Sequence, residues 1–163
     1  MNRPTPRFRD GLETLARHGV EFVVVGGVAA VLNGAPISTF DLDIVHARAS
    51  ANLDRLLAAL TELDARYRDL TGRVLRPERS ALAGDGHHLL VTSCGPLDVL
   101  GQIGDRLRYE DLLPETVERT LGTHRFRVLD LAALIRTKEQ AGRDKDRAVL
   151  AVLRRTLQER GSA

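Results

Sequence analysis

The segment EFVVVGGVAAVLNG, residues 21 to 34, constrains the fold of this chain more than any other. Its uninterrupted β-branched run has the length of a strand and lacks polar alternation, so it reads as a buried strand. The glycine pair Gly26-Gly27 ends that strand, and VAAVLNG (28–34) reads as a short helix. A strand that passes through two glycines into a helix presents backbone amides at a helix N-terminus. Anions bind there, and the missing side chains let a phosphate come close to the backbone.

Thirteen residues after the glycine pair comes Asp41-Leu-Asp43, within a second expected strand over Thr39 to His46. Side chains two apart on a strand share a face, so these carboxylates stand side by side. Such a pair repels itself unless a cation lies between, and carboxylate with phosphate oxygens makes a typical Mg²⁺ shell. Asp98 lies in the apolar stretch GPLDVLG, where a lone carboxylate needs a reason. If its strand neighbours the Asp41/Asp43 strand, three carboxylates converge and can bridge two metal ions in a phosphoryl displacement.

Elsewhere the spacing is less marked. Thr5-Pro6 resembles a helix cap, Phe8, Leu12, Leu15 and Ala16 recur at helical spacing, and Gly19 stops that helix. Ser50 is the expected N-cap of a helix over Leu53, Leu56, Leu57, Leu60 and Leu63. Residues 65–86 read as a loop-rich crossing with one short strand. HHLLVTS (87–93) and PLDVLGQI (96–103) read as a hairpin about Cys94-Gly95, and 116–129 as another strand pair. Asp130 caps a helix over Leu131 to Ala141 that Gly142 ends. A last helix, from about Lys145 to Glu159, carries the stripe Val149, Val152, Leu153 and Leu157. This order implies a mixed α/β (α+β) domain, with helices flanking a mixed sheet.

The 163 residues suit a single domain over 1–163, with a core at about 20–129 and C-terminal helices at about 130–160. No apolar run approaches the roughly 20 residues of a membrane span, and MNRPTPRFRD lacks the apolar region of a secretory signal. One cysteine, Cys94, excludes an internal disulfide, which agrees with a cytoplasmic setting. The net charge of +2 is too small to indicate nucleic-acid binding by itself.

Gly26-Gly27, the spacer, Asp41-Leu-Asp43-Ile and a distant strand aspartate, Asp98, together resemble the nucleotidyltransferase (polymerase-β-like) superfamily. The resemblance implies a mixed sheet flanked by helices, and Mg²⁺-dependent transfer of a nucleoside monophosphate from an NTP to an acceptor hydroxyl. Asp41, Asp43 and Asp98 would be its catalytic and metal-holding residues, with two ions, and Gly26, Gly27 and Thr39 would line the nucleotide. Many small bacterial members carry Arg two residues before the Thr; here Ile37 stands there. Lys138 and the segment GRDKD (142–146) are similar to the C-terminal part of small stand-alone members, including abortive-infection toxins and antibiotic-modifying enzymes. That likeness makes Lys138 a candidate triphosphate contact and Asp146 a weaker one.

The acceptor stays open among a tRNA 3′ end, a protein hydroxyl and a small hydroxylated molecule. A homodimer, or a partner in a toxin–antitoxin or defence pair, fits the resemblance, and no membrane partner does. A catalytically degenerate nucleotide- or partner-binding module on the same fold is the alternative.

Each signal also has a plainer structural reading. Glycine pairs commonly mark turns, Lys138 can be a helix-face lysine, and Asp146 can be a cap. His87 and His88, adjacent on a strand, point to opposite faces and cannot easily share a metal. Arg73, Arg76 and Arg79 read as a solvated loop, and Arg147, Arg154, Arg155 and Arg160 as the wet face of the last helix. Cys94 has no neighbouring base that would make it a nucleophile.

Overall fold

The computed structural model describes residues 6–161. The first half contains α1 (Phe8–Arg17), β1 (Phe22–Val25), α2 (Gly26–Leu32), β2 (Leu42–His46), α3 (Ser50–Glu62), β3 (Arg66–Tyr67) and α4 (Arg79–Leu82). The second contains β4 (His87–Thr92), β5 (Gly95–Leu100), α5 (Tyr109–Leu112), β6 (Thr116–Leu121), β7 (His124–Leu129), α6 (Leu131–Ala141) and α7 (Arg147–Gly161). The seven strands form one sheet in the order β3-β4-β5-β2-β1-β7-β6. It is mixed, as expected: β2 runs parallel to β5 and β1 parallel to β7, while the other pairs are antiparallel.

Apolar burial explains the arrangement. All four residues of β1 are buried, because β1 lies inside the sheet between β2 and β7. On β2, Leu42 and Ile44 point to one face. That face is covered by Gly11 of α1, against Leu42, and by Leu82 of α4, whose carbonyl meets His46 Nε2 at 2.7 Å. One continuous cluster joins Leu15 of α1, Ile44 of β2 and Leu56 of α3 to Leu134 of α6 and Leu153 of α7. Asp130 Oδ1 accepts from Ala133 N at 2.8 Å and caps α6. Gly142, with φ +61°, ends that helix in the left-handed conformation that glycine tolerates. No helix among the described residues is long and apolar enough to cross a membrane.

Several boundaries differ from the sequence reading. Thr5, the expected cap of α1, lies outside the described residues. The helix begins at Phe8, and Arg7 before it donates through its backbone N to Cys94 O at 2.9 Å. Ser50 is the first residue of α3 and Ala49 holds the cap position; Ser50 Oγ instead accepts from Arg79 Nη2 at 2.6 Å. Arg79 therefore belongs to α4 rather than to a solvated loop, and Nε pairs with Asp54 at 2.7 Å. β2 begins at Leu42, not Thr39: its ladder with β1 ends at the Val25–Asp43 pair, where the chain turns into α2, and its ladder with β5 ends at Leu42–Leu97. α7 starts after a 3₁₀ turn at Asp144–Asp146 and buries Leu150, Leu153 and Thr156. Leu157, expected in the apolar stripe, is exposed. The arginines of α7 are more than a wet face: Arg154 pairs with Glu139 of α6, and Arg160 Nη1 donates to Asn33 Oδ1 at the end of α2. The short α5 carries no sequence periodicity and was not expected.

Candidate active site

The site is one row across the middle of the sheet. Val25 pairs with Asp43, Asp43 with Asp98, and Asp98 with Leu89, so β1, β2, β5 and β4 each contribute one position. Asp43 and Asp98 thus lie on adjacent parallel strands at the same level, as their apolar surroundings suggested. Asp41 sits just before β2, two residues from Asp43.

The glycine pair is required by close packing as much as by the turn. Gly26 has φ +65°, and a Cβ there would collide with Asp43 Oδ2. A Cβ at Gly27 would come within 2.5 Å of Thr39 Oγ1 and 2.7 Å of its Cβ. Gly26 therefore lies directly against the Asp43 carboxylate and Gly27 against Thr39. Thr39 Oγ1 in turn donates to Asp41 O at 3.3 Å, tying the approach to β2 together. Ile37 packs with Phe8, Leu12, Val28 and Leu121 around an apolar hollow of about 330 Å³, which explains why a charge is not needed for packing at that position.

The carboxylates are short of positive charge. Burial pushes the Asp43 carboxyl up to about 8, reinforced by the adjacent Asp98 and by Asp41. Burial raises Asp98 as well, while Arg68 opposes the rise. Asp43 Oδ1 is buried and has no hydrogen-bond partner. Arg68, just after β3, donates from Nη2 to Asp98 Oδ1 at 2.7 Å, and the same nitrogen stands 4.0 Å from Asp41 Oδ1. Among the described residues no three His, Cys, Asp or Glu side chains enclose a point ready for a metal ion. Asp43 and Asp98 face each other, and the guanidinium lies between Asp98 and Asp41.

Lys138 of α6 lies close enough to lower the Asp43 pKa, but its Nζ is 3.3 Å from Asp146 Oδ1. Asp146 is 5% exposed and also takes Arg143 Nε at 3.0 Å. Burial works to raise its pKa, and the two cations outweigh that and hold it low. Asp146 thus positions Lys138 beside the site rather than entering the carboxylate row.

The remaining candidates are structural. His88 is buried with Nδ1 2.8 Å from the Tyr67 hydroxyl, while the exposed His87 meets Gln102 O at 3.1 Å. Arg73 pairs with Asp69 and Arg76 with Asp64. Arg68 is the site residue that sequence reasoning missed. Nothing distinguishes it among the many arginines until the pairing of β3 with β4 carries it to the row.

A crystal structure of a candidate nucleotidyltransferase from Thermotoga maritima is similar to this chain, with a TM-score of 0.57 and 17% identity. The match covers 98% of this chain and 96% of that one. The chain has a nucleotidyltransferase fold. No family model matches the sequence, and no curated protein is similar enough to match it. In the nucleotidyltransferase fold of this chain, the glycine turn and the Asp43–Asp98 pair occupy the middle of the sheet. Leu89, beside them, is 45% exposed and leaves the β4 side of the row open.

Proposed function

We propose that the protein is a Mg²⁺-dependent nucleotidyltransferase that moves a nucleoside monophosphate from an NTP to an acceptor hydroxyl. The observation that carries this reading is the adjacent Asp43–Asp98 pair, with Asp43 Oδ1 buried and unpartnered, set against the backbone of Gly26. Two facing carboxylates, one with a buried oxygen lacking any partner, fit a hard divalent cation, which prefers oxygen ligands. Asp43 and Asp98, with Asp41 drawn in from outside the strand, would hold up to two ions. When bound, Mg²⁺ supplies charge for the triphosphate and for the developing oxyanion.

The chain's own groups account for the rest. Gly26 and Gly27 bring the turn directly against Asp43 and Thr39, and the phosphates would meet the backbone of that turn beside the Thr39 hydroxyl. Lys138, steered by Asp146, places an ammonium on the same side. In the transfer, the acceptor oxygen forms a bond to the α-phosphorus, the bond to the β-phosphate bridge breaks, and pyrophosphate leaves. Asp98, at the open edge of the row, takes the acceptor proton. The exposed ground over Leu89 is where the acceptor hydroxyl can approach.

Acceptor identity stays among a tRNA 3′ end, a protein hydroxyl and a small hydroxylated molecule. A toxin–antitoxin or defence role would show as growth inhibition on expression that a partner relieves. Pyrophosphate release from each NTP, with Mg²⁺ and an acceptor panel, tests the activity in wild type and Asp98→Asn. Mg²⁺-dependent release lost in the variant supports it. NTP binding with no release on any acceptor would favour the degenerate binding module, a reading to which Ile37 in place of arginine lends weight.

A further inference from the structure

Arg68 is a cation lodged among the carboxylates that the proposed function assigns to metal. Its backbone is fixed, because Arg68 N donates to Leu89 O at 3.1 Å, and Leu89 pairs with Asp98. Its side chain is not fixed in the same way. The guanidinium makes one close contact, 2.7 Å to Asp98, and a looser one, 4.0 Å to Asp41. At 36% exposure it has solvent to turn into. The loop that follows holds itself together through Asp69, which accepts from Thr71 and Arg73, so movement of the Arg68 side chain does not require the loop to move.

Lys138 acts on Asp43 only through space. Lys138 and Arg143 both pair with the buried Asp146. Arg68 is thus the cation most directly opposed to the row, and it is insufficient. One guanidinium faces Asp98 and Asp41 while Asp43 Oδ1 stays without a partner. A smaller ion of higher charge satisfies these oxygens better, and a planar guanidinium released beside a polyphosphate can donate to it bidentately.

We propose that Arg68 is an exchangeable counter-ion: it holds the cation position on Asp98 and Asp41 in the bare site and turns onto the triphosphate once a divalent cation is bound. This rests on the nucleotidyltransferase reading. Arg68 therefore acts twice with opposite sign. It opposes the lone metal ion, and it favours the metal–triphosphate complex. The bare protein holds metal more weakly than its carboxylates alone would.

Electron paramagnetic resonance of Mn²⁺ binding separates these effects in wild type, Arg68→Ala, Arg68→Lys and Asp43→Asn. Without other ligand, Arg68→Ala binds Mn²⁺ about tenfold tighter than wild type, the scale of one charge-assisted hydrogen bond removed. With Mn²⁺ present, inorganic triphosphate binds Arg68→Ala about tenfold more weakly, and Arg68→Lys restores part of that affinity. Equal Mn²⁺ affinity in Arg68→Ala and wild type, with binding lost in Asp43→Asn, overturns the exchange and leaves Arg68 a structural ion pair while the metal site stands. Mn²⁺ binding unaltered in Asp43→Asn, or absent throughout, overturns the metal site and this proposal together.

Discussion

Asp43→Asn should stabilise the metal-free protein at alkaline pH, although it removes a residue of the proposed site. Burial and Asp98 raise the Asp43 carboxyl from an ordinary 3.8 to about 8. Between those values the folded protein binds more protons than the unfolded chain, so stability falls as pH rises through the window. The penalty is absent below 3.8 and complete above about 8. Carried by one group, such a displacement is worth on the order of 5 kcal/mol. The proton is shared with Asp98, and Arg68 and Lys138 offset part of the repulsion, so about 2–3 kcal/mol is the expected cost. Asparagine keeps the shape of the protonated acid and carries no charge. In EDTA, wild type and variant should therefore unfold alike near pH 4, and the variant should melt about 5–10 °C higher near pH 9. Urea denaturation at the same pH values gives the free energies directly. Because other titrating groups are common to both proteins, their difference isolates this site. A variant less stable than wild type near pH 9, or a difference independent of pH, would refute the reasoning.

Gly26→Ala combines a left-handed backbone with a collision against Asp43 and should cost about 2 kcal/mol or more, read as a drop in Tm. Gly34→Ala, at φ +91° with nothing near its Cβ, should lose only the backbone part, about 1 kcal/mol. Lys138→Met should weaken NTP affinity in calorimetry and destabilise the fold by about 1–3 kcal/mol, because Asp146 keeps only Arg143. Unchanged affinity would confine Lys138 to structure. Asp130→Ala should remove the α6 cap at about 1 kcal/mol without altering ligand affinity. Leu153→Ala, emptying a fully buried position, should cost about 2–5 kcal/mol in urea denaturation.

What could be read from the sequence was whatever is encoded by short-range pattern. The apolar run before Gly26, the spacing to Asp43 and the isolation of Asp98 in an apolar strand each reflect a local requirement. The strand pairing then aligns Asp43 with Asp98. The cap at Asp130 and the stop at Gly142 are equally local. Arg68 depends instead on β3, only two residues long and docked at the sheet edge, where no periodicity can show. Ser50 could serve as cap or first helical residue, and its hydrogen bond from distant Arg79 accompanies the latter. α7 packs on α6, and its buried side keeps the expected Leu153, adds Leu150 and Thr156, and leaves Leu157 exposed.

The pairing of β2 with β5 gives the protein a built-in proofreading of its chemistry. Leu97 and Val99, which flank Asp98, are buried at 2% and 0% exposure on the face opposite to it. A slip of β5 by one residue would put both where the carboxylate belongs and drive Asp98 into the core. Misaligned chains are therefore selected against by the same apolar burial that drives folding. Once the sheet is formed, the two acids are already opposite one another, and assembly of this part of the site needs no further step.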